Sequence, residues 1–151
     1  MMNGGALIAD NEPLFVVDNM EKILAVLQID PDTGFDGYEV HTDKQVIVVK
    51  IDNRIDCCEH PGCFIVNDDV RDFIGANLLD VYVTDIETNS YAIPIVRQME
   101  GEIIEEPENI MFVNLVTDRG NLQFIAYNSH NGYYGHDAVL ISNQLTFSEV
   151  L

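Results

Sequence analysis

The sequence predicts an α+β fold: a single domain with a mainly antiparallel sheet, one N-terminal helix and one short helix. Three observations point there. From Tyr38 onward, stretches rich in branched residues alternate with turn formers. One segment near the N-terminus carries apolar residues at helical spacing. A third segment, rich in aspartate, ends at Gly75 in the manner of a helical turn. The chain has 151 residues, 47% of them hydrophobic, which suits one domain over 1–151 with a real core. No repeat, low-complexity tract or linker divides it.

Taken in order, residues 1–17 are apolar and interrupted by Pro13. Asp18-Asn19-Met20-Glu21 then has the form of a capping box. Met20, Ile23, Leu24 and Leu27 follow on one helical face, so a helix is expected over 19–28. Asp30 to Gly37 is a loop by its Pro, Gly and Asp content. It is a poor calcium loop, because Phe35 stands at position six and His41 at position twelve. Tyr38–His41 and Gln45–Ile51 flank Thr42-Asp43-Lys44 as a hairpin, and Cys63–Val66 is a short strand. Asn67 or Asp68 can cap a turn through Val70, Phe73 and Ile74, with Asp68, Asp69 and Asp72 at its positive end. Leu78–Glu87 is a long strand. Met111–Thr117 and Asn121–Tyr127 flank Asp118-Arg119-Gly120, the strongest hairpin in the chain. Residues 138–150 supply one or two final strands.

Charge limits the partners. With 26 acidic and 7 basic residues the net charge is −19. Nucleic acid and anionic membrane surfaces are excluded as direct ligands, since both are bound through Lys and Arg. Cations, metal ions and basic protein surfaces fit instead. The densest negative stretch is Arg97–Asn109, with Glu100, Glu102, Glu105, Glu106 and Glu108. No apolar run approaches the roughly 18 residues needed to span a bilayer. The first ten residues lack the form of a signal peptide. A cytoplasmic location is expected, with cysteines reduced or metal-bound and not in disulfides.

Chemistry concentrates in Asp56-Cys57-Cys58-Glu59-His60-Pro61-Gly62-Cys63, which holds all three cysteines and one of four histidines. A second landmark is Ser129-His130-Asn131-Gly132-Tyr133-Tyr134-Gly135-His136. The two are expected to meet in the fold. Cys58, His60 and Cys63 form C-x-H-x-x-C across a Pro-Gly turn, a spacing that can place soft ligands on one zinc ion. Cys57, His136, His130 or His41 could complete the tetrahedron. A buried, inert cysteine beside a surface histidine is the plainer reading. A nucleophilic cysteine is disfavoured by Asp56 and Glu59, because nearby carboxylates raise a thiol pKa. The chain has no G-x-S-x-G elbow and no phosphate-binding P-loop. Asn131-Gly132 reads first as a turn, and as part of a ligand pocket with Tyr133 and Tyr134 second.

D-C-C-E at 56–59 paired with N-G-Y-Y-G at 131–135 resembles a family of small proteins, without assigned activity, from phages and their bacterial hosts. Val70-Arg71-Asp72-Phe73-Ile74-Gly75 is similar to that family's L-x-x-L-I-G-like stretch. Gly135 departs from the family's usual N-G-Y-Y-S. The resemblance covers roughly 45–142, leaving the N-terminal helix and the acidic loop 100–108 as additions. It implies a phage or mobile-element setting and a host-cell cytoplasm. Acidic phage proteins of this size resemble inhibitors of nucleic-acid-processing defences, the acidic anti-CRISPR proteins among them. The function expected is therefore a non-enzymatic, zinc-stabilised inhibitor of a host nucleic-acid-binding defence protein, most sharply a CRISPR effector nuclease. Glu100, Glu102, Glu105, Glu106 and Glu108 would face the partner's Lys/Arg groove. Alternatives are a metal- or thiol-dependent enzyme and a small-ligand binder.

Overall fold

The computed structural model describes residues 20–84, 110–129 and 134–151. The glutamates of 100–108, His130, Asn131, Gly132, Tyr133, the proposed cap Asp18 and the last three residues of the Leu78–Glu87 strand lie outside them. The described chain is built of β-strands, with two short 3-10 turns and no α-helix. In chain order the strands are β1 (Glu21–Gln28), β2 (Phe35–Thr42), β3 (Val46–Asp52), β4 (His60–Ile65) and β5 (Asn77–Thr84), then β6 (Ile110–Thr117), β7 (Gly120–Ser129), β8 (Asp137–Ile141) and β9 (Thr146–Val150). Each pairs antiparallel with its neighbours in the order β9-β8-β3-β2-β1-β5-β6-β7-β4. The α+β expectation is corrected to all-β.

The predicted helix at 19–28 is β1, and a bulge explains the misreading. Ile23 opposes Thr42 while Ala25 opposes His41, so Leu24 is an extra residue in the ladder. Inward residues therefore fall at Ile23 and Val26, three apart, which imitates helical spacing. The stripe that a helix would bury is mostly in solvent: Met20 is 46% exposed, Leu24 53% and Leu27 50%, with only Ile23 covered. Backbone pairing on both sides overrides the helix propensity of this segment. Glu21, expected to close a capping box, is buried; it accepts hydrogen bonds from the Thr42 hydroxyl and from Gln45 Nε2. It braces the β2–β3 hairpin. The second predicted helix is a 3-10 turn, Val70–Phe73, capped by Asp69 and not by Asn67 or Asp68. Gly75 follows at φ +89°, as a stop there requires.

β1 is the crease of the sheet. Glu21 and Lys22 pair with β5, and Ile23 onward pairs with β2. The sheet folds over so that β2 and β3 face β4 and β7. Tyr38 on β2 stacks tilted on Phe124 of β7, their ring centres 5.7 Å apart. Ile47, Val49 and Ile51 from one layer and Met111, Val113, Leu122, Phe124 and Ala126 from the other meet in one fully covered core. Each large aliphatic side chain so buried stabilises the fold by roughly 1.5–3 kcal/mol before entropy is charged against it.

β6 and β7 are buried on both faces. Phe64, Ile110, Phe112, Ile125 and Tyr127 form a second cluster on the face away from the main core. Their hairpin is the one expected, closed by Asp118-Arg119 with Gly120 at φ +108°. Gly62 on β4 lies under Tyr127: a Cβ there would sit 2.3 Å from the phenol oxygen. No helix of the described residues is long and apolar enough to cross a membrane.

Candidate functional site

The two landmark stretches do meet, at the end of the sheet where β3, β4 and β8 converge. Their contact is a buried carboxylate–imidazole pair, Glu59 Oε2 to His136 Nε2 at 2.9 Å. Both side chains are almost wholly covered. His136 Nδ1 faces the Asp52 carbonyl oxygen at 2.5 Å. Because a carbonyl only accepts, Nδ1 carries a proton. Glu59 also accepts the backbone N–H groups of Asp56 at 3.1 Å and Cys57 at 2.8 Å. The three groups around this one carboxylate favour its ionised form. Burial alone would raise the Glu59 pKa, but the hydrogen bonds from His136, Asp56 and Cys57 outweigh it and hold the carboxyl well below the usual range.

Local sequence explains how the pair is delivered. β3 ends at Asp52, and the chain turns out through Arg54, Ile55 and Asp56 before Glu59 swings back inward. His136 is held by two backbone hydrogen bonds with Leu151, at 2.8 and 2.9 Å. Asn128, fully buried on β7, donates Nδ2 to the carbonyl oxygens of Tyr134 and Leu151. Its Oδ1 has no partner among the described residues. The clasp thus ties the cysteine loop, the end of β3 and Leu151 together.

Above the pair lies an open cleft of about 310 Å³, lined by Asp52, Arg54, Asp56, Gly135 and His136. The Arg54 guanidinium bonds both oxygens of Asp52 and holds that carboxyl down at about 2. Cys57 and Cys58 sit exposed on the loop above the cleft, joined to each other by a disulfide. The sequence predicts reduced or metal-bound thiols here. The structure draws these neighbouring residues as a pair, on the loop whose Asp56 and Cys57 amides bond Glu59.

The remaining predicted ligands point elsewhere. His60 is exposed at the start of β4, opposite Ser129. Cys63, opposite Ala126, packs against the main core, and burial, with Asp36 adding to it, pushes its thiol pKa far up. His41 is bonded to Glu39 at 2.9 Å on the far side of β2. Among the described residues no three His, Cys, Asp or Glu side chains gather as a metal site. Both ring nitrogens of His136 are engaged within the protein, by the Asp52 carbonyl oxygen and by Glu59. The sequence reads Glu59 only as a carboxylate that raises a neighbouring thiol's pKa; its place inside D-C-C-E does not reveal it as the partner of His136.

A family model described as a domain of unknown function, DUF7448, matches residues 18–140, and the chain belongs to that family. The matched span takes in β1. No curated protein and no solved structure matches the chain.

Proposed function

We propose that this member of the DUF7448 family is a non-enzymatic acidic binding protein whose partner is a basic, nucleic-acid-binding protein. The observation that carries the reading is how the cations are used. Of seven Lys and Arg residues, all but Arg97 fall on described residues. Arg54 and Arg71 are paired with Asp52 and Asp69. Arg119 donates to the carbonyl oxygens of Asp72 and Ile74, and Lys22 to that of Gly75. Lys50 lies 4.0 Å over the Phe35 ring, and Lys44 stands exposed in the β2–β3 turn. Meanwhile Asp30, Asp32, Asp43, Asp56, Asp68 and Asp80 are in solvent. The surface field is negative and its own cations do little to mask it. Such a field attracts a Lys/Arg groove and speeds its capture.

The side chains flagged for chemistry support a binding role over catalysis. Cys63 is a protonated core thiol, and His136 is locked in a structural pair. In its narrowest form the partner is a CRISPR effector nuclease in a phage-infected host, with Glu100, Glu102, Glu105, Glu106 and Glu108 in the contact. Zinc belongs to this proposal only for the reduced chain, where the Cys57 and Cys58 thiols would stand free. In the disulfide form these residues do not fit the ion. The test is inhibition of effector DNA cleavage by the purified chain, repeated across salt and with those five glutamates changed to glutamine. Inhibition that weakens in both series supports the reading. Inhibition indifferent to both, or none, contradicts it.

A second reading rests on the cleft. Its two aspartates and single paired arginine suit a small amine, and calorimetry with simple polyamines would show saturable binding lost in Asp56→Asn.

A further inference from the structure

The two layers of the folded sheet differ in how their outer faces are finished. On the β6–β7–β4 side, Phe64, Phe112, Ile125 and Tyr127 are all covered. On the other layer the outward residues follow from the register. One row across the strands reads Leu27, Glu39, Val48, Ile141, Thr146. A second reads Ala25, His41, Val46. A third reads Gly37, Lys50, Val139, Ser148. The residues between them, Val40, Ile47, Val49, Ala138 and Leu140, point into the core and are fully covered.

This outer face is apolar at its centre and open. Val46 is 44% exposed and Ile141 43%, and Val48 and Val139 beside them are partly exposed. Solvent-facing strand positions usually alternate to polar residues. Here four branched side chains stand together on β3 and β8. Around them lie Glu39, Asp43 with Lys44 beside it in the β2–β3 turn, and Asp137 at the start of β8, three carboxylates to that one turn lysine. Lys50, in the row with Val139, is drawn over Phe35. An apolar centre within an acidic margin has the build of a protein contact.

We propose that this face, on β1, β2, β3, β8 and β9, is where a basic protein partner docks, with Val46, Val48, Val139 and Ile141 as its apolar anchors. The inference rests on the acidic-binder reading and gives it a location. Charge selects the occupant. A second copy would set −19 against −19, and an anionic lipid surface is repelled in the same way. A partner with Lys and Arg around an apolar ridge satisfies both parts of the face.

The test uses a strand-forming peptide of alternating lysine and valine as the probe, titrated into isotopically labelled full-length chain and followed by amide shifts. The comparison variants are Val46→Thr with Ile141→Thr, which keep charge and strand propensity, and Leu79→Thr, a still more exposed apolar position on the other layer. The expected result is saturable binding at low salt, with shifts centred on Val46, Val48, Val139 and Ile141. The double variant should bind about tenfold more weakly and Leu79→Thr as wild type. Salt-sensitive binding whose shifts centre elsewhere, or that the double variant leaves unchanged, overturns this face and leaves the acidic-binder reading standing. No saturable binding at low salt overturns both. If the double variant loses its native spectrum, Val46→Thr alone replaces it and is read by the same criteria.

Discussion

Replacing Ile23 and Leu24 by alanine, one at a time, separates a bulged strand from a helix in Glu21–Gln28. On a helical stripe the two are neighbours on the same buried face and should cost similar amounts. In the structure they point to opposite sides. Ile23 is fully covered and belongs to the main core, whereas Leu24 is about half in solvent. Truncating a covered isoleucine costs about 2–5 kcal/mol through lost transfer energy and the cavity left behind. An exposed bulge residue away from any polar network costs no more than about 1 kcal/mol. For a chain of this size each kcal/mol lowers Tm by about 2–4 °C. Ile23→Ala should therefore melt roughly 4–20 °C below wild type, and Leu24→Ala within about 4 °C. Urea unfolding followed by circular dichroism gives the same comparison as free energies, provided the slope is unchanged. Equal losses in the two variants would refute the strand assignment.

Other outcomes follow from the clasp and the core. His136→Ala removes the ring that orients Glu59, so hydrogen exchange at the Asp56 and Cys57 amides should accelerate more than exchange in β6 and β7; uniform acceleration would mean the pair does not hold the loop. Asp52 and Glu59 both have folded pKa values below their ordinary ones. Their stabilisation is complete above the ordinary carboxylate range and is lost as pH falls through the folded values, about 2 for Asp52. Unfolding free energy should thus decline steadily below about pH 4, and a flat profile there would contradict the pairings. Cys63 works in the opposite sense: its raised pKa means stability is lost as pH climbs past the ordinary thiol value of 9.0, a loss that Cys63→Ala should reduce, leaving the part due to the burial-raised Tyr38. Elemental analysis of reduced protein should find about one zinc per chain, lost in Cys58→Ser, with none in the disulfide form; metal held by the oxidised chain, or none by the reduced one, would remove zinc from the proposal.

What was legible in the sequence was local. The hairpin of β6 and β7 announced itself through Asp118-Arg119-Gly120 between two branched, alternating runs, and the β2–β3 hairpin did so in the same way. Gly75 marked its stop because only a residue tolerant of positive φ sits well there. The N-terminal strand was hidden by one residue: Leu24 breaks the period of two and leaves a spacing of three. Strand order was hidden too, because the crease at β1 joins partners supplied by distant segments, Leu78 on one side and Thr42 on the other.

The site was half visible. The two motifs drew notice by composition, and they do come together. Soft ligands near histidines suggested a metal, yet the contact is made by a carboxylate that looked incidental. A buried ion pair depends on which backbone N–H groups surround it, and those of Asp56 and Cys57 take their places only once the loop is folded. The acidic character, by contrast, needed no fold to be read. Its meaning for binding did, since it depends on where each cation is spent.

The most direct test of the acidic-binder claim is displacement of labelled DNA from a purified CRISPR effector nuclease by this chain, measured from about 50 to about 200 mM salt. Competition that is strong at the low end and falls steeply with added salt is the expected result. Competition insensitive to salt, or a nuclease that keeps its DNA at every concentration of the chain, would contradict it.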